Sequence, residues 1–151
     1  MNFSKLLSVI PLFVVILALY NAMILIGVDF DECTKPVAEA ASASSCQVES
    51  LFTLTLPSGK SWGPTWSSLL LLLGVLTLYI ELVKSTKTGS ITLIEHALSM
   101  VVFIACLMEF ILVEQAGTST FLILTLMSLL DVVAGFTITV ASARRDFTMG
   151  G

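Results

Sequence analysis

The chain has 151 residues, 56% of them hydrophobic and only 12% charged, with a formal net charge of -4. A soluble domain carries about 25% charged residues, so this composition excludes an ordinary water-soluble fold and makes a lipid bilayer the expected solvent. No basic patch is present, which argues against a nucleic-acid partner.

Four apolar runs fill most of the chain: Leu6 to Val28, Trp66 to Val83, Ile91 to Val113 and Thr120 to Ala143. A helix rises 1.5 Å per residue and needs about 20 residues to cross roughly 30 Å of hydrocarbon. The expectation is one membrane domain over residues 1–151. It is an all-α protein, an antiparallel bundle of four transmembrane helices, with a short extracytoplasmic β-hairpin-like segment in the loop 29–65.

The first run is too long for the apolar region of a signal peptide, and Gly27-Val28-Asp29-Phe30 offers no small-residue cleavage pattern. A retained span is expected, kinked at Pro11. Ser4, Ser8, Pro11, Ala18 and Ala22 share one face, a candidate seam for close helix packing. Asn21 points elsewhere and needs a partner or the membrane interface.

The loop that follows is acidic, with Asp29, Asp31, Glu32, Glu39 and Glu49. It also holds Cys33 and Cys46, expected to form a disulfide if the loop faces an oxidising compartment. Residues 49–56 then alternate apolar and polar, and Pro57-Ser58-Gly59-Lys60 is a turn signature, so a short β-hairpin is predicted. It is expected to rest on the outer helix ends, with Trp62 and Trp66 at headgroup level.

Each later span carries one small or polar stripe. The second has Ser67, Gly74, Thr77, Glu81 and Ser85. The third has Glu95, Ser99, Cys106 and Glu109, with His96 on the neighbouring face. The fourth has Ser128, Asp131, Gly135, Thr139 and Ser142. Inward stripes are predicted, because helices in lipid adhere through small residues and hydrogen bonds rather than a hydrophobic drive. With four crossings, Lys5, Lys84, Lys87, Arg144 and Arg145 share one side, against Lys35 and Lys60 on the other. The positive-inside rule makes the richer side, and both termini, cytoplasmic.

Ionisable groups inside a membrane are functional candidates. Five are present: Glu81, Glu95, His96, Glu109 and Asp131. Thr92-Leu93-Ile94-Glu95 fits a capping box, which gives Glu95 a structural role. Glu81 and Glu109 lie near span ends, where a carboxylate can reach the interface. Asp131 lies at mid-depth, where a charge costs about 2.5–3.5 kcal/mol, so it needs a partner. Ser99 or His96 of the third span are the nearest by depth. A structural, helix-joining role for Asp131 is expected ahead of transport or catalysis. His96 is the only histidine, with no Glu-x-x-His motif, so no metal and no cofactor is expected. No nucleotide-binding, nucleophile-elbow or Cys-x-x-Cys motif occurs, so no enzyme activity is expected.

Trp-Gly-Pro-Thr-Trp with two cysteines in a first outer loop superficially resembles the claudin family, but here the cysteines precede the tryptophans and the second outer loop is far too short. Other segments resemble a group of small four-span proteobacterial inner-membrane proteins: Pro57-Ser58-Gly59 with Trp62, Glu81-Leu82-Val83-Lys84-Ser85-Thr86, Leu129 through Phe136, and Ala143-Arg144-Arg145-Asp146. That resemblance covers about the last 100 residues and implies a bacterial inner-membrane location, with no activity attached. The expected function is interaction, as an accessory subunit or homo-oligomer whose partners are lipid and other membrane subunits. The outer hairpin and the apolar helix faces are the surfaces for such contacts. The alternative is a proton- or ion-coupled channel or transporter with Asp131 as central relay. A membrane enzyme or redox subunit is a weaker third reading.

Overall fold

A computed structural model describes residues 10–30, 50–86 and 90–148, the last segment with side chains from Ile94 to Ala141. Cys33, Cys46 and their predicted disulfide lie outside the described residues. The elements in order are helix α1 (Phe13–Leu25), strands β1 (Leu54–Thr55) and β2 (Ser61–Trp62), helix α2 (Trp66–Ser85), helix α3 (Ser90–Leu112), a 3-10 turn (Glu114–Ala116) and helix α4 (Ser119–Thr148). The helices α2, α3 and α4 are each long and apolar enough to cross a membrane, whereas α1 is a shorter apolar helix.

Both ends of α1 have local causes. Pro11 precedes the N-cap Leu12, so the helix begins after the proline instead of kinking at it. Proline has no N–H to give to a helix, which makes it a natural start signal. At the other end Gly27 takes φ +87°. Its N–H donates to the Ile24 carbonyl at 2.9 Å, and that of Val28 to the Met23 carbonyl at 3.0 Å. This pair of bonds is the Schellman motif, and the left-handed residue it needs is most easily glycine. Its 13 residues reach about 20 Å at 1.5 Å each.

The hairpin forms as its turn chemistry predicts. Leu54 pairs with Trp62 and Thr55 with Ser61, antiparallel. The Gly59 N–H donates to the Leu56 carbonyl at 2.8 Å, and the Leu56 N–H to the Lys60 carbonyl at 3.0 Å. Gly59 has φ +81°, giving a three-residue loop with a glycine bulge. All four strand residues are exposed. The expectation that the ribbon rests on the helix ends is therefore corrected: its short strands bury neither face against them. Only the base is fixed, where Leu51 donates to the Pro64 carbonyl at 2.9 Å and Gly63 lies against Ser50.

Thr65 caps α2, accepting from the Ser68 N–H at 3.2 Å. The Ser85 and Thr86 hydroxyls donate to the Leu82 and Val83 carbonyls at 2.8 and 2.7 Å, which occupies acceptors of the last turn. Facing residues set the helix directions. Gly74 meets Leu124 and Met127, while Glu81 lies near Asp131, so α2 and α4 run the same way. Cys106 faces Ser128, Ser99 faces Asp131 and His96 faces Thr139, so α3 runs against α4. Leu12 meets Glu81 and Phe30 meets Ser67, so α1 runs against α2. The last helix packs on both α2 and α3, and α1 touches both from its own side.

The predicted stripes do turn inward. Gly74, Glu81 and Ser85 of α2 are buried, as are His96, Ser99 and Cys106 of α3 and Ser128 and Asp131 of α4. Outside, Leu72, Val75, Val101, Ile104, Leu126, Leu130 and Val133 are all exposed. This is the reverse of a soluble core and fits a lipid surround. Of the expected small-residue seam, Ser4 and Ser8 lie outside the described residues and Pro11 is buried, but the part on α1 itself is corrected. Ala18 and Ala22 face out, and the buried stripe is Phe13, Ile16, Tyr20 and Met23, whose larger side chains fill the space between helices.

Candidate functional site

A group of buried polar side chains from α2, α3 and α4 lies at the end of the bundle away from the hairpin, and the start of α1 adds a backbone amide to it. Asp131 of α4 is 5% exposed, with the Ser99 hydroxyl of α3 within hydrogen-bonding reach. One of the two partners expected for this carboxylate is thus the one that faces it.

Glu81 of α2 is 6% exposed. Its Oε1 accepts a hydrogen bond from the Leu12 backbone N–H, at the start of α1. That amide is one that a helix leaves unpaired, and the helix dipole there favours a negative group. Leu12 provides no side-chain cap of its own. A carboxylate 69 residues away does that work. The expectation of a surface carboxylate at Glu81 is overturned, because the start of α1 covers it.

Glu95 also departs from its expected role. Helix α3 already begins at Ser90, so Thr92 lies within the first turn and cannot be the N-cap of a capping box. Glu95 pairs instead with Lys84 of α2, Nζ to Oε1 at 3.5 Å. Lys84 is also the nearby cation for Glu81 and Asp131. Of the three carboxylates around this ammonium, Glu95 is the one in ion-pair contact.

His96 packs against Gly135 of α4, so closely that any side chain there would displace the ring. A Cβ built on Gly135 would lie 2.5 Å from both Cε1 and Nδ1 of the imidazole. The ring is tilted against Phe136 with centroids 5.6 Å apart. Its Nε2 is 2.9 Å from the Thr139 hydroxyl, which itself donates to the Gly135 carbonyl at 3.0 Å. A hydroxyl has one proton to give. It is already committed, so Nε2 carries the hydrogen and donates to Thr139.

Towards the hairpin end the polar contacts continue. Cys106, the free thiol among the described residues, is buried beside Ser128. Glu109 is half-buried against the Asn21 side chain of α1, and its Oε1 has no partner among the described residues. Asn21 also donates to the Leu17 carbonyl at 3.1 Å. Trp62 and Trp66 are exposed. Among the described residues no three His, Cys, Asp or Glu side chains gather as a metal-binding group.

One tie has little signature in the sequence. Tyr20 is completely buried, and its hydroxyl lies 2.7 Å from that of Thr118. Thr118 also caps α4 by accepting from the Phe121 N–H at 3.1 Å. Tyr20 packs between Phe30 and Phe121, with centroids 4.8 and 4.4 Å away. A threonine just before an apolar run signals the cap, but nothing local to Tyr20 names its partner. The Leu12–Glu81 contact is equally silent in the sequence.

Chemically, the arrangement hydrogen-bonds helices to one another inside an apolar shell. It also holds acid–base groups out of water. No known protein family, curated protein or solved structure matches the chain.

Proposed function

We propose that the chain is a small, non-catalytic integral membrane protein that acts by association, as an accessory subunit or a homo-oligomer. In this reading it crosses a bacterial inner membrane four times, with both termini cytoplasmic and Cys33 and Cys46 bridged outside. The observation that carries it is the outward placement of Ala18 and Ala22, one turn apart on α1. Small residues at that spacing let two helices approach closely in lipid. Within the chain, the buried face of α1 is already filled by Phe13, Ile16, Tyr20 and Met23. Extraction into lipid nanodiscs from native membranes should yield an oligomer or a stoichiometric partner. Ala18→Leu with Ala22→Leu should weaken it at least tenfold. A wild-type chain that stays monomeric at every lipid-to-protein ratio rejects the proposal.

A second reading is favoured by one observation: Glu81 and Asp131 are buried near each other beside Lys84. Acidic side chains at membrane depth are the usual material of proton relays. Proton or ion flux into proteoliposomes should then depend on Asp131. Flux that is absent, or that is unchanged in Asp131→Asn, removes this reading.

A further inference from the structure

The hairpin presents an apolar face that the rest of the chain leaves open. Along β1 and its flanks Phe52, Leu54 and Leu56 alternate with Thr53 and Thr55. Successive strand residues point to opposite faces. Cross-strand partners share a face, so Trp62 joins Leu54 while Ser61 joins Thr55. The ribbon is therefore amphipathic. Its apolar side chains are uncovered: Phe52 is 57% exposed, Leu54 56%, Leu56 38% and Trp62 50%.

We infer that this face lies flat in the headgroup layer of the membrane and that the hairpin is an interfacial anchor. Three observations select lipid as the occupant. The first is the tether. Trp62 stands four residues before Trp66, the first residue of α2, so even extended chain keeps them within about 14 Å. Bonding at the base shortens the ribbon's freedom further, through Leu51 and Pro64.

The second is continuity. Leu25 and Ile26 at the end of α1, and Leu112 and Val113 at the end of α3, are exposed at the same end of the bundle. The apolar outer surface of the helices thus runs up to the ribbon. The third is chemistry. Residues 50–65 hold one charge, Lys60, which suits anionic headgroups, and tryptophan favours the membrane–water boundary. A second copy pairing edge to edge is the poorer fit, because strands of two residues offer almost no ladder to extend.

The test uses the full chain in vesicles of phosphatidylcholine and phosphatidylglycerol, with Trp66→Phe leaving Trp62 as the sole tryptophan. A ring buried about 5–10 Å into the headgroup–acyl boundary should lose about half its emission to lipids brominated near the headgroup and resist aqueous iodide. Leu54→Ser with Phe52→Ser should reverse both responses while helix content by circular dichroism stays unchanged. Two results overturn the anchor. One is Trp62 open to iodide and untouched by brominated lipid. The other is Trp62 shielded from both quenchers, which means protein covers it.

Discussion

Gly135→Ala tests the packing that joins α3 to α4. The new methyl would sit 2.5 Å from Cε1 and Nδ1 of His96, against a normal carbon contact of about 3.5–4.0 Å. The ring must withdraw by about 1 Å to restore that contact. If the withdrawal is directed away from Thr139, it stretches the 2.9 Å bond from Nε2 beyond hydrogen-bonding range. Overpacking costs about 1–3 kcal/mol, and loss of the bond about 0.5–1.5 kcal/mol. Against this, alanine gains about 1 kcal/mol over glycine as a helix former. The net expectation is a loss of about 0.5–3.5 kcal/mol.

Unfolding by sodium dodecyl sulfate in mixed micelles, followed by circular dichroism, reads this directly. The decisive comparison is a double-mutant cycle. In a His96→Ala background the obstruction is gone, so Gly135→Ala should become neutral or stabilising. Gly74→Ala is the control. Its Cβ would meet the Leu124 Cδ2 tip at 2.8 Å and the sulfur of Met127 at 3.2 Å, the one a terminal methyl and the other in a flexible, unbranched side chain. Its effect should stay within about 1 kcal/mol. A Gly135→Ala protein as stable as wild type, or equal effects with and without His96, would refute the reasoning.

Two further outcomes follow from the interhelical ties. Glu81→Ala should cost about 1–3 kcal/mol, because it orphans the Leu12 N–H, and should raise protease cleavage near residue 12. Glu81→Gln, which keeps an acceptor, should lose less than half as much; equal losses would show that the cap on α1 is not what matters. Thr118→Val should cost more than Tyr20→Phe in the same unfolding titration. The first removes the α4 cap, worth about 0.5–2 kcal/mol, together with the contact to the Tyr20 hydroxyl. The second keeps the cap and removes the hydroxyl contact to Thr118, worth about 0.5–1.5 kcal/mol. Equal losses, or the reverse order, would show that the cap on α4 adds little.

Much of the architecture is legible from local pattern. Apolar length marks α2 and α3 to within two residues at either end and the start of α4 to within one, because covering the backbone's hydrogen bonds in lipid demands long uninterrupted helices. The stripes containing Glu81, Ser99 and Asp131 point inward for the same reason. Pro57 to Lys60 specifies the hairpin through glycine's tolerance of a left-handed turn. The first helix is harder, since its end depends on Gly27 adopting positive φ inside a run that hydropathy reads as continuous.

What no local pattern contains is which groups meet. Glu81 caps a helix that begins 69 residues earlier, Lys84 draws Glu95 away from its own helix terminus, and Gly135 exists to admit a ring from α3. Tyr20 finds Thr118 across 98 residues. Such pairings depend on how far each helix slides and rotates against its neighbours. That geometry is set by the fit of many side chains at once, whereas turns, caps and spans answer to neighbours a few residues away.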